Sequence, residues 1–250
     1  MHGVSIVSFW RSLIEPEILD EHEEGATLMD GDVRFDRPLM TMSDAGRHLG
    51  IPRQTFHRWA RGYERGGPLL HVIGTDSMRR ATVPFVALAE AWVLWGLRQA
   101  GVQPQRIRPA LKQLQKQFGR EYVLVSPALV TDGISVLWDF SRTKAGAGLI
   151  EGGTGQTVIR EIVQDYLTYV GFGADEYPNL LKLKPFEPAK VVVDPYRSSG
   201  QPVFEGTGVK VANVAAMLKA GEDPAVVAEE HGVGLDAVRA AARILLGRAA

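Results

Sequence analysis

Arg53, Gln54, Thr55, His57, Arg58 and Arg61 fall within nine consecutive residues. Each side chain can hydrogen-bond to nucleic acid. Arg and Gln forks match guanine and adenine edges in the major groove. Arg47, Arg58 and Arg61 suit phosphates, which fix register but carry no base information. Arg79 and Arg80 follow in what reads as a wing lying on the backbone. Other candidate chemistry is weaker. Gly152-Gly-Thr-Gly-Gln-Thr157 resembles a phosphate loop but lacks its Lys and spacing, so a Gly-rich turn is the better account. His22 sits among acids with no second His at ligand spacing. His231 ends a helix, and Ser198-Ser199 has no base at a recognisable distance. No catalytic residue, metal site or cofactor is expected, and no enzyme.

The elements that must carry the six side chains are readable. Ser43 can cap a helix that runs to Leu49. Gly50 then turns the chain left-handed. Pro52 opens a second helix to about Tyr63. Ala45 is small where the helices meet, and Leu49, Ile51, Phe56 and Trp59 supply a small core. Leu69–Ile73 and Arg80–Val83 are β-prone and predict a hairpin. Val86 to Ala100 is apolar almost all round, so Leu88, Trp92 and Trp95 belong in the core or against a second subunit. A basic amphipathic helix begins at Pro104, with Ile107, Leu111, Leu114 and Phe118 along one side.

Further on, Tyr122–Ser126, Ala128–Thr131 and Ile134–Phe140 read as strands. Thr157–Val170 reads as a helix. Gly173–Lys190, with Pro178, Pro185 and Pro188, reads as a linker. Val191–Val193 is a short strand. Helices are expected over Val211–Ala220, Pro224–Glu230 and Leu235–Leu246. Ahead of all this, Val4–Leu19 is a strand or helix, and Asp20–Asp36 is an acidic loop with a short strand near Val33. The fold class is mainly α with small β elements.

The chain has 250 residues and a net charge of −1, which speaks against nucleic acid until the charge is divided along the chain. Residues 1–36 carry −7, residues 37–120 carry +10 and residues 121–250 carry −4. The basic block coincides with the helix pair and wing, and such asymmetry points to nucleic-acid contact there. With 45% hydrophobic and 23% charged residues the chain is globular, not disordered. Cysteine is absent, which excludes disulfides and thiolate chemistry. Val4–Trp10 has no basic residues before it and is too short to span a membrane, so a cytoplasmic location is expected.

From Leu39 to Phe118 the chain resembles the MerR-like winged-helix family. The resemblance rests on the helix-turn-helix, the two-stranded wing and the helix Phe85-Val-Ala-Leu-Ala-Glu-Ala-Trp-Val-Leu-Trp. It implies DNA contacts and dimer packing in these regions. The missing cysteines exclude the thiol-based metal sensing of part of that family.

The C-terminal run Asp194-Pro195, Gly200-Gln201-Pro202-Val203, Gly206-Thr207, Val209, Val211 and Gly221 resembles a small domain of largely unknown function. That domain recurs in antitoxins of the VapB type, often beside toxins of the PIN-like ribonuclease type. Gly208 stands where the family usually has Arg. Residues 201–250 carry a net −1, and the last helix has no obvious base reader, although Arg239 and Arg243 could touch phosphate. Protein interaction suits this unit better than DNA reading.

These readings divide the chain into an acidic arm (1–36), a winged-helix DNA-binding domain (37–120), a mixed connecting segment (121–188) and an antitoxin-like helix-turn-helix domain (189–250). Together with the resemblances they imply a dimeric antitoxin and repressor. It would bind operator DNA and a PIN-like ribonuclease toxin. The alternative is a ligand-responsive MerR-like regulator without a toxin, using 121–188 as its sensor.

Overall fold

Helix α1, Met42–Leu49, begins where Thr41 accepts the Asp44 backbone N–H at 3.1 Å and donates its hydroxyl to the Asp44 carboxylate at 2.7 Å. Thr41, not Ser43, is therefore the cap. The side chain at the cap position can reach the free N–H groups of the first turn, which one already inside the helix cannot. Gly50 closes α1 at φ 66°. Helix α2, Arg53–Arg61, follows Pro52.

The computed structural model describes residues 31–63, 67–74, 80–152 and 155–247. The reading of Val4–Leu19, Arg79, and the turn at 75–77 lie outside the described residues. From Asp32 onward the chain is one compact unit. Val33–Asp36 is a single helical turn capped by Asp32 rather than a strand.

The architecture is mainly α with small antiparallel sheets. Helix α3, Phe85–Gln99, is its axis. Almost every residue from Phe85 to Leu97 is buried, including Leu88 and Trp92, while Trp95 is half-buried. An all-apolar helix has to be surrounded, and here the surroundings come from the same chain. Helix α4, Arg108–Phe118, buries Ala110 and Leu114 and leaves Lys112 and Lys116 exposed.

Helix α5, Ile134–Ser141, and helix α6, Gln156–Leu167, complete this layer. Gly96 of α3 lies against α6: a Cβ there would stand 2.6 Å from the Tyr166 ring. Trp92 Nε1 donates to the Tyr166 carbonyl at 2.8 Å beside it. Gly96→Ala is expected to lower folding stability by about 1–3 kcal/mol through overpacking. A shift in urea midpoint without a change in slope would show it.

Residues 122–141 depart from the expected strands. Val123–Val125 is a tight helical turn, Leu129–Gly133 a wide one, and α5 follows directly. Arg160 of α6 donates to the carbonyls of Val130 and Thr131, which satisfies the wide turn. A short apolar run buried on all sides lacks the alternation that marks a strand, and its periodicity is silent.

The expected linker is also different. β3 (Val170–Phe172), β4 (Pro178–Lys182), β5 (Val191–Val193) and β6 (Val203–Phe204) form one antiparallel sheet in that order. Leu181 pairs with Val193, and Val191 pairs with Phe204. Pro178 is tolerated because it is the first residue of its strand, and Pro185 sits in the helical turn Lys184–Phe186. The sheet packs on α3 through β4. Helices α7 (Val211–Ala220), α8 (Pro224–His231) and α9 (Leu235–Ala241) follow as expected, with a wide turn over Ala242–Leu246. No helix among the described residues is long and apolar enough to cross a membrane.

Candidate nucleic-acid interface

Helix α2 has two chemically opposite faces. Phe56, Trp59 and Ala60 are fully buried. Arg53, Gln54, Arg58 and Arg61 are exposed, and Thr55 and His57 are half-buried beside them. Four of the six proposed base or phosphate readers on α2 are thus exposed, and the other two are half-buried beside them. Gly46 is a point of close contact between the helices, next to the buried Ala45. A Cβ on Gly46 would lie 3.0 Å from the Ile51 carbonyl oxygen and 3.4 Å from Phe56 Cβ. The Ile51 N–H donates to the Gly46 carbonyl at 2.8 Å and locks the turn.

Ser43 Oγ lies 3.5 Å from His57 Nε2, so the first turn of α1 borders the outward face of α2. Burial, then the charges of Arg53 and Arg61, hold the His57 pKa below its ordinary value. These influences favour the neutral imidazole, which can offer hydrogen bonds. The Arg58 guanidinium lies over the Tyr63 ring at 5.9 Å, a weak cation–π contact at an exposed site. Arg47 is exposed on α1 and pairs with Asp44 at 3.5 Å. Arg80 is exposed.

The wing is built differently from the expected hairpin. β2, Val83–Pro84, pairs with β1, Pro38–Met40, which precedes the helix pair. The Thr82 N–H donates to the Met40 carbonyl at 3.0 Å, and the Ile73 N–H donates to the Thr82 carbonyl at 2.8 Å. Leu69 and Leu70 are buried in the core and form no strand, and the Leu70 carbonyl accepts the Val72 N–H at 3.0 Å. The Leu69 N–H donates to the Trp59 carbonyl at 2.8 Å.

His71 comes next, and its partner was not anticipated from sequence. Glu90 is 1% exposed in the middle of α3. One carboxylate oxygen accepts the His71 backbone N–H at 2.9 Å, and the other lies 2.6 Å from Nδ1. A single carboxylate inside an otherwise apolar helix is the signal that could have revealed it. The pair borders a cavity of about 110 Å³ that also meets Arg108, Lys112 and Glu121. Among the described residues no group of three or more His, Asp or Glu could hold a metal ion.

In the C-terminal unit, Arg239 pairs with Asp236 at 3.6 Å. Arg243 donates to the carbonyls of Pro185 and Glu187 at 3.0 and 3.1 Å. One nitrogen of that exposed guanidinium thus binds the protein's own backbone.

Two short helices locked at a left-handed glycine, one with a buried aromatic face and a basic outer face, define a helix-turn-helix protein of the DNA-binding kind. Residues 38–111 match a family model described as a putative DNA-binding helix-turn-helix domain, and residues 191–243 match a family of unknown function, DUF433. The chain is 42% identical to a protein of Mycobacterium tuberculosis named putative antitoxin VapB45, over 83% of this chain and 94% of that protein. It belongs to the same family as that protein. An uncharacterised protein of the same organism, Rv2308, is 26% identical over 82% of this chain and 89% of its own length. The crystal structure of Rv2018 from M. tuberculosis is 37% identical and superposes with a TM-score of 0.67, covering 83% of this chain and 99% of the other.

Proposed function

We propose that the chain is a non-enzymatic antitoxin that binds operator DNA through α1 and α2 and represses its own operon. The observation that carries the DNA half is the outward face of α2, where Arg53, Gln54, Thr55, His57, Arg58 and Arg61 stand clear of the buried Phe56 and Trp59. Arg53 and Gln54 lie in the first turn, the end of a recognition helix that enters the major groove. Arg47, Arg79 and Arg80 would contact backbone on either side. The antitoxin half is supported by membership in the VapB45 family. It takes a PIN-like ribonuclease toxin as the direct partner of a homodimer, held through a surface other than α2. In this reading residues 37–120 serve DNA and residues 189–250 serve protein contacts.

The test is operator affinity against salt, using DNA from upstream of the protein's own coding sequence. Arg53→Ala should cost about 1–3 kcal/mol and relax specificity, whereas Arg58→Ala should lower the salt slope by roughly one. If neither substitution changes affinity, the recognition-helix assignment is wrong. Co-expression with the product of the adjoining gene tests the second half. Loss of that product's ribonuclease activity in the complex supports the antitoxin role, and full retained activity refutes it.

A further inference from the structure

The helix-turn-helix rests on a surface supplied from far along the chain. Helix α1 is flanked by the turn Lys184–Phe186 and by the turn Ala242–Leu246. Gly50, the pivot between α1 and α2, faces Pro185 so closely that a Cβ there would lie 3.1 Å from the proline ring. The His48 ring stacks on Phe186 with centroids 6.0 Å apart and planes 28° apart. His48 is itself buried.

The strand entering α1 is held in the same way. Gln201 Nε2 donates to the Leu39 carbonyl at 2.9 Å. Gly200, at φ 68°, lets the Leu39 side chain approach so closely that a Cβ would be 2.5 Å away. Gly200 ends a left-handed turn in which Ser198 and Ser199 also have positive φ, 50° and 57°. Such backbone is costly for residues other than glycine and persists only where its surroundings enforce it. Arg243 ties the remaining side together through the Pro185 and Glu187 carbonyls.

We infer that the C-terminal unit, residues 184–246, is a positioning brace for DNA binding: it fixes the pose of α1 and α2 from behind while touching no DNA itself. This rests on the DNA-binding reading above and extends it to the part of the chain that matches a family of unknown function. A rigid pose matters because a recognition helix that samples other orientations binds with an affinity reduced by the fraction of time it is misplaced. Phe186 and Gly200 are poor test positions because the fold itself depends on them. Arg243 is exposed, and its removal frees two carbonyls to water.

The experiment compares the full chain with Arg243→Ala, Arg243→Lys and Lys219→Ala, an exposed lysine of α7 that serves as control. Hydrogen exchange of α1 and α2 is measured without DNA. Affinity for the upstream DNA is measured across a salt series. A brace predicts faster exchange in α1 and α2, with α3 unchanged, for Arg243→Ala. It also predicts about 5-fold or more weaker binding at an unaltered salt slope, partial rescue by Lys, and no effect of Lys219→Ala. A salt slope lowered by about one would instead make Arg243 a phosphate contact and overturn the proposal. Unchanged exchange and affinity would overturn it too. If the unmodified chain fails to bind DNA, the functional reading falls, and the exchange result alone still decides whether the C-terminal unit holds the helix pair.

Discussion

Phe56→Ala is expected to remove about 3–5 kcal/mol of folding stability and to abolish operator binding near physiological temperature. Phe56 is fully buried, and its Cβ lies at the point where Gly46 permits the helices to touch. Truncation leaves a cavity that α1 and α2 can fill only by changing their crossing. Total stabilities are about 5–15 kcal/mol, so the loss is a large share. Urea unfolding followed by circular dichroism measures it. The contrast with Arg53→Ala is the informative part: that substitution should impair DNA binding and leave the unfolding midpoint in place. Wild-type stability in Phe56→Ala would show that the helix pair does not depend on this contact.

Glu90→Ala is expected to cost on the order of 2–4 kcal/mol, since it strips a backbone N–H and an imidazole of their partner in a largely enclosed place. Its pH dependence separates this effect from packing. Burial alone would lower the His71 pKa, but the hydrogen bond and charge of Glu90, with Glu121 at 3.7 Å, outweigh it and raise the value above normal. The other groups bordering the pair are Tyr122, whose ring is 4.6 Å from His71, and Arg108 and Lys112 across the cavity. A raised folded-state pKa means that protonated His71 contributes stability fully below its unfolded pKa, near 6.5. The contribution fades as pH rises through the higher folded value. Wild-type protein should therefore lose more stability between mildly acidic and mildly alkaline pH than Glu90→Gln, which keeps the shape but not the charge. Parallel pH profiles for the two proteins would contradict the assignment of His71 as the titrating group.

The helix pair could be read from the sequence because its signals are local. Gly50 and Pro52 punctuate a run whose aromatic and basic residues alternate at helical spacing, and the structure keeps those roles. What escaped was decided by distant partners. Val123–Val125 packs against α3 and α4, and Leu129–Gly133 packs against α5 and α6 with Asp132 left exposed, and no pattern within either run records those partners. Leu69 and Leu70 carry β-prone chemistry, yet their backbone bonds run to Trp59 and Val72 and not to a neighbouring strand. The prolines of 173–190 suggested a connector. One begins a strand and another makes a turn, positions in which a missing N–H costs nothing. Gly46 was overlooked beside Ala45 because sequence shows which residues are small, not which one the opposing carbonyl approaches. Arg243 was legible as a cation, but its acceptors lie more than fifty residues away, at separations of 58 and 56.

The bond from Gln201 to the Leu39 carbonyl spans 162 residues. Ribosomes add about 5–20 residues per second, so about 8–32 seconds separate the synthesis of its two ends. During that interval the nascent helix pair exists without the surface that seats it. Under the proposed function, operator binding would in this sense be a property of completed chains: truncated translation products would carry the basic helices but not their seating, and would compete poorly for the same DNA.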